Sequence, residues 1–402
     1  MEKTNQQQIP PELENLLVYG ETSVGWDEHT LPNETVDEDG YLLESNRGFG
    51  VPDPRAPKRR VYNDPSVEEL REHLRRHNGI HGLEICTPSE IERAARIFHR
   101  DGFVVVRDLL NPKQLARFRE GASQRLKEIL AIPGPENRKY MVETKRLPHR
   151  YSYGTSSASR QMLHDPIWAS MIDLPTTTPI LTEIFGTAEY GVWGAGGDLA
   201  LPGAIEYQHL HSDGRDAQLI LDGRAEQAKH FDIEINPNST GGVDLPALKL
   251  MMEMTAPMVT INFLMSDLTW ENGPIRQIPG THVVQQLPPK PEDEPDWMRL
   301  STLVGAPAGA GVFRDNRAWH GATPNLSKEI RAMPNVEYVA PWFPIERLRK
   351  TMPYEIWETL TPHAQRLCIN VRADKGVWPA GAGIMHPLIN KKKELSEGFY
   401  VR

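Results

Sequence analysis

His320 and Arg331 stand eleven residues apart on either side of Thr323-Pro324-Asn325, a run suited to a turn. Upstream, His211-Ser212-Asp213 places a histidine and a carboxylate two positions apart. In extended backbone, residues i and i+2 leave the same face, so this pair can reach a single metal ion. With His320 it makes two imidazoles and one carboxylate, which suits one face of a metal and leaves the opposite positions open. That is the donor set of non-haem Fe(II) sites that activate dioxygen. Arg331 adds a fixed cation whose planar fork matches a carboxylate-bearing cosubstrate.

His-x-Asp alone is a weak signal. With 14 His and 20 Asp among 402 residues, chance gives about 0.7 such pairs, yet the chain holds three. His99-Arg100-Asp101 ends a helical pattern, where Asp101-Gly102 reads as turn chemistry and His99 as a cation near a helix C-terminus. His230-Phe231-Asp232 lies in a long polar insertion beside Lys229, where a solvated surface pair is the plainer reading. His211/Asp213 follows the extended run Glu206-Tyr207-Gln208-His209-Leu210 and is favoured, with His230/Asp232 kept as the alternative. His209 also shares a face with His211. No cysteine or second histidine cluster lies near to complete a zinc site, so His209 reads as a neighbour of the site.

The bulk composition narrows the class. Gly (31) and Pro (34) make up roughly a sixth of the residues, favouring a loop-rich β protein over a helical bundle. A net charge of -9 argues against nucleic-acid or anionic-membrane partners. Two cysteines, Cys86 and Cys368, cannot build a disulfide framework. The polar start lacks the apolar core of a signal peptide, and no stretch approaches the ~20 apolar residues of a membrane span. The expectation is a cytoplasmic protein.

The elements that must position these residues are legible in part. Ser66–Arg76, the run from Thr87 to about His99, and Asn111-Pro112 to about Leu130 read as helices with capping residues at their starts. Phe103–Val106, Met258–Met265, the stretch from Gly311 and the stretch from Val336 read as strands. Tyr151–Ser159 reads as a loop, and Gly194–Gly197 as a glycine-rich turn. The strand ending at His320 is expected to pair, through the Thr323-Pro324-Asn325 turn, with the strand starting near Arg331. Residues 214–250 form an insertion of a length usual for lids or disordered segments. The expected organisation is an N-terminal extension over 1–90, irregular with short helices, a β domain over 91–345 and a C-terminal extension over 346–402.

Four stretches together resemble the phytanoyl-CoA dioxygenase-like (PhyH) family of Fe(II)/2-oxoglutarate-dependent dioxygenases. They are Arg100-Asp101-Gly102-Phe103 with the helix that follows, Pro202-Gly203 with Gln208 to Gly214, Glu271-Asn272-Gly273-Pro274 through Pro279-Gly280-Thr281-His282, and Gly311 through His320 to Arg331. They occur in family order and span about residues 96 to 342. Ala322 departs from the family, which often carries Ser there. The segment between Asp213 and Glu271 is also longer than usual.

The resemblance implies a mainly β chain with flanking helices around a double-stranded β-helix (jelly roll, cupin-like) core. It implies Fe(II) held by His211, Asp213 and His320, with 2-oxoglutarate as cosubstrate and O2 as oxidant. Arg331 would grip the distal carboxylate, with Gln208 and Asn262 as further cosubstrate contacts. His209, Arg150 and Tyr153 would lie toward substrate or lid. The expected reaction is oxidation, most simply hydroxylation, of a C–H bond in a small organic or natural-product substrate. Halogenase relatives carry a small residue in place of the metal carboxylate, so Asp213 points away from halogenation. Two other readings stay open: a catalytically silent jelly-roll binding or sensing protein, and a cupin-type metalloenzyme that does not use 2-oxoglutarate.

Overall fold

Capping chemistry and β-branched runs divide the chain into helices that cover one side of a large sheet. The computed structural model describes residues 23–24, 60–61, 65–130, 150–154, 161–201, 207–213, 256–283, 288–290, 293–327, 329–343, 348–379 and 382. Helix α1 (Pro65–Arg76) leads to a short strand β1 (Ile85–Cys86) and helix α2 (Ile91–Asp101). Ahead of α2, Glu90 accepts from the Thr87 backbone N–H at 2.7 Å, as in a capping box. The helix ends at Gly102, whose φ of 82° needs no Cβ and whose N–H donates to the Phe98 carbonyl. Strand β2 (Phe103–Val106) follows at once, then α3 (Pro112–Leu130), where Asn111 and Gln114 exchange side-chain-to-backbone bonds of 2.9 and 3.0 Å.

Apart from a two-stranded ladder of Ser23–Val24 with Arg60–Val61, the other described strands are β3 (Arg150–Tyr153), β4 (Gly191–Ala200), β5 (Met258–Phe263), β6 (Ile275–Gln277), β7 (Gly311–Asp315), β8 (His320–Ala322) and β9 (Arg331–Val339). Seven of the strands form one sheet in the order β1-β2-β7-β5-β9-β4-β3, antiparallel except for β1 against β2. Facing it is a smaller layer in which β6 and β8 pair antiparallel. Gln208 and His211 join this layer through backbone bonds to Ala322 and His320. This pair of facing antiparallel layers is the double-stranded β-helix, mainly β with flanking helices.

Period-two alternation assigns the faces of the large sheet. On β9, Ala332, Val336 and Tyr338 join the core packed under the helices with Phe98, Phe118 and Trp168. On the opposite face Met333 meets Phe103, Val105, Val312 and Ile275 in a second core between the two layers. Arg331, Asn335 and Glu337 share that inward face, as do their lateral neighbours Ala200 and Asn262.

Several expectations change. The His320 and Arg331 strands are not hairpin partners: β8 pairs with β6, whereas β9 pairs with β4 and β5 in the other layer. Asn325 redirects the chain between layers, its amide donating to the Ala200 and Glu329 carbonyls at 2.8 and 2.7 Å. Gly194–Gly197 is no turn but the middle of β4. A Cβ at Gly197 would lie 2.5 Å from the Tyr153 hydroxyl, so glycine here permits close approach across strands. Within the expected Tyr151–Ser159 loop, Arg150–Tyr153 is a strand, since its alternating residues split between the two faces. Residues on both sides of the expected 91–345 domain also take part in the packed body. Strand β1 belongs to the sheet, and Met352, Leu367 and Val371 lie in the helix-side core. The 214–250 insertion, Pro202-Gly203 and most of residues 1–64 lie outside the described residues. No described helix is long and apolar enough to cross a membrane.

Replacing Gly197 by Ala is expected to cost about 1–3 kcal/mol through overpacking. The loss should be partly recovered in the double variant Gly197→Ala/Tyr153→Phe. Urea unfolding of the four proteins in the cycle checks this.

Candidate metal centre

His211 and His320 are placed by backbone pairing before their side chains matter. Each donates its N–H to the other's carbonyl at 3.0 Å, so the two residues face one another in a single rung. Their rings lie 4.3 Å apart between centroids. In both rings Nδ1 is turned to a carbonyl two residues earlier: His209 O at 3.1 Å for His211, and Ala318 O at 3.0 Å for His320. A carbonyl can only accept, so Nδ1 carries the proton and Nε2 keeps its lone pair. That tautomer presents two Nε2 atoms to one point, as metal-binding histidines do.

Asp213 completes the group. Its N–H donates to the Asn316 carbonyl at 2.9 Å, which fixes its height beside the end of β7. Oδ1 lies 3.7 Å from His211 Nε2 and Oδ2 3.5 Å from His320 Nε2. Donor atoms of all three residues fall within 4.8 Å of one another. Among the described residues this is the set of His, Cys, Asp and Glu side chains close enough to share a metal. Two neutral imidazole nitrogens and an ionised carboxylate fit a divalent cation of the iron type.

Sequence reading missed Arg314. It sits on the inward face of β7, its side chain only 7% exposed, with Nη1 2.7 Å from Asp213 Oδ2 and 3.2 Å from His320 Nδ1. Burial alone would raise the Asp213 pKa. The Arg314 guanidinium, in contact with the carboxylate, holds the carboxyl well below the usual range instead. The available signal was alternation: within Gly311-Val312-Phe313-Arg314-Asp315, Arg314 falls on the same face as Val312, so a cation points inward from a buried strand.

The other expected residues are distributed as follows. Arg331 is 1% exposed and lies on the inward face of β9, level with Ala200 and, beyond it, Arg150. Asn262 is buried opposite Asn335 on the same face. Gln208 turns its side-chain oxygen to the Ala322 backbone N–H at 3.0 Å, a structural bond that secures its segment against β8. His209 is exposed and contributes its carbonyl to the His211 ring. Tyr153 faces the helix side, its ring 5.9 Å from that of Trp168, away from the metal cluster. The carboxamide oxygens of Asn335 and Gln277 are buried without a hydrogen-bond partner. Register places Gln277 on the same face as His320.

The alternative pairs separate. His99 offers its carbonyl to His282 Nε2 at 3.1 Å, and Asp101 is paired with Arg100 at 2.6 Å, so that pair is structural. His230 and Asp232 lie outside the described residues.

The outer side of the small layer anchors the His211 segment. Arg276, 1% exposed, donates to Glu294 and to the Gln208 carbonyl and lies 5.5 Å from the Tyr207 ring. Burial pulls the Arg276 pKa down and Glu294 opposes the fall. Glu294→Ala, leaving that guanidinium buried and uncompensated, is expected to cost about 3–5 kcal/mol in denaturant unfolding. Arg276→Met/Glu294→Leu, which removes both charges, is expected to cost less.

Comparison with known proteins places the chain. The sequence model of the family described as Phytanoyl-CoA dioxygenase (PhyH) matches residues 98–333. "Dioxygenase andF" of Emericella variicolor is 31% identical over 138 residues, covering 32% of this chain and 46% of the relative. "Dioxygenase af480" of Aspergillus fumigatus is 32% identical over 111 residues, covering 27% and 35%. The chain thus spans less than half the length of the curated relatives it matches. Among solved structures, the non-heme alpha ketoglutarate dependent epimerase SnoN from nogalamycin biosynthesis aligns with a TM-score of 0.39 at 17% identity, covering 63% of this chain and 82% of that one. AviO1 from Streptomyces viridochromogenes Tue57 aligns with a TM-score of 0.39 at 17% identity, covering 63% and 97%. The stretch matched by the family model encloses His211, Asp213, His320 and Arg331 and covers more than half of the residues, and on that match the chain belongs to the phytanoyl-CoA dioxygenase family.

Proposed function

We propose that the chain is an Fe(II)- and 2-oxoglutarate-dependent oxygenase that hydroxylates an unactivated C–H bond of a small organic substrate, a natural-product scaffold being the substrate class we favour. The observation that carries this reading is the convergence of His211 Nε2, His320 Nε2 and Asp213 within 4.8 Å, inside the stretch that matches the family. Bound there with 2-oxoglutarate, Fe(II) would supply the oxidising chemistry, one atom of O2 ending in succinate and the other in the hydroxylated product, with CO2 released. The chain's own residues would do the rest. The His209 and Ala318 carbonyls keep both imidazoles in the ligating tautomer. Arg331, buried on the inward face, would hold the distal carboxylate of the cosubstrate. Phe103, Val312 and Met333 line the space between the layers and keep water from the reacting atoms. The buried carboxamide oxygens of Asn335 and Gln277 favour a substrate that brings hydrogen-bond donors.

The test is succinate formation from 2-oxoglutarate with added Fe(II), in the wild type and in Arg331→Ala. Losing one partner of a buried charge pair costs about 2–5 kcal/mol, so kcat/KM for 2-oxoglutarate is expected to fall at least about 30-fold, chiefly through KM. An unchanged KM in a folded Arg331→Ala would assign the distal carboxylate of the cosubstrate to another residue. No succinate from an iron-loaded wild type would favour the silent binding protein.

A further inference from the structure

We propose that Arg314 is a positioning residue that makes Asp213 a one-oxygen ligand and so keeps a coordination position open for the cosubstrate; the inference rests on the proposed metal site. Asp213 has two oxygens within reach of the two imidazole nitrogens, Oδ1 at 3.7 Å from His211 Nε2 and Oδ2 at 3.5 Å from His320 Nε2. Nothing in the carboxylate itself prevents both from binding one ion. Arg314 breaks that equivalence. Its Nη1 lies 2.7 Å from Oδ2, a charge-assisted distance, leaving Oδ1 as the oxygen without a guanidinium on it.

The guanidinium is well held. The alternation of β7 sends Arg314 inward, in a row with Phe103 on one side and Thr260 on the other. Nη1 also lies 3.2 Å from His320 Nδ1, but that nitrogen carries the proton turned to the Ala318 carbonyl, so the carboxylate and not the imidazole is the hydrogen-bond partner of the cation. Asp213 is fixed from behind by the Asn316 carbonyl, and Asn316 in turn accepts from Thr260 Oγ1 at 2.7 Å. One rigid corner therefore fixes the carboxylate's rotation. An octahedral ion with three one-oxygen or one-nitrogen protein ligands keeps three positions, two for a chelating 2-oxo acid and one for O2. A carboxylate bound through both oxygens would take one of them.

The experiment is an anaerobic titration of the full chain with Fe(II) and 2-oxoglutarate, read by the visible charge-transfer absorption of the chelate. Wild type, Arg314→Met and Arg314→Lys are compared, with folding checked by circular dichroism. Arg314→Met is expected to take up iron but to bind 2-oxoglutarate at least about tenfold more weakly, with a shifted or weakened band. Arg314→Lys, which keeps a donor and a charge, is expected to recover most of the loss. A role confined to packing the sheet would move the melting temperature and leave the band alone. A folded Arg314→Met with wild-type affinity and spectrum would overturn the inference while leaving the functional reading intact. A wild type that develops no band would overturn both. Independently of any variant, the structure of the iron-loaded wild type is expected to retain the Oδ2–Arg314 contact, and two Asp213 oxygens on the iron would refute it.

Discussion

The pair of backbone hydrogen bonds that His211 and His320 exchange, 3.0 Å each, is the constraint from which the site follows. It joins two segments more than a hundred positions apart and puts their side chains on the same side of one rung. The loop closure this demands is entropically costly, and the fold meets the cost with long-range pairing on both sides of the rung. On one side, β8 is laced to β6 by three residue pairs. On the other, the Gln208 segment is held by Ala322 from within the layer and by Arg276 from outside it. The imidazoles are therefore located by main chain, and only their tautomers are left to the local carbonyls of His209 and Ala318.

Electrostatics then divides the space between the layers. One part is apolar, built from Phe103, Val105, Ile275, Val312 and Met333. The other carries charge: Asp213 with Arg314, and Arg331 on β9. A carboxylate stripped of water would ordinarily hold its proton more tightly, yet the adjoining guanidinium more than compensates and keeps Asp213 ionised. Polar groups are thus set on a rigid, largely dry frame, and such preorganisation makes their interactions stronger than the same groups would have in water.

Much of this was legible in the sequence because it is local. Extended backbone makes His211 and Asp213 neighbours without reference to the rest of the chain. The caps at Thr87/Glu90 and Asn111/Gln114 work within a single turn. What misled was partnership between distant strands. Thr323-Pro324-Asn325 has the residues of a hairpin turn, but Asn325 spends its amide on Ala200 and Glu329, and the chain changes layers. Glycines at 194 and 197 look like a turn until Gln161 and the Tyr153 hydroxyl are seen where their Cβ atoms would be. Arg314 escaped for the same reason: one arginine in a strand acquires meaning only when the topology carries it to Asp213.

The most direct test of the account is the iron stoichiometry of the purified chain, loaded anaerobically with Fe(II) and freed of unbound metal. The account predicts one iron per wild-type chain, none above background in His211→Ala or His320→Ala, and an unchanged count in His230→Ala. Iron lost from His230→Ala and retained by His211→Ala would contradict it and move the metal to the His230/Asp232 pair.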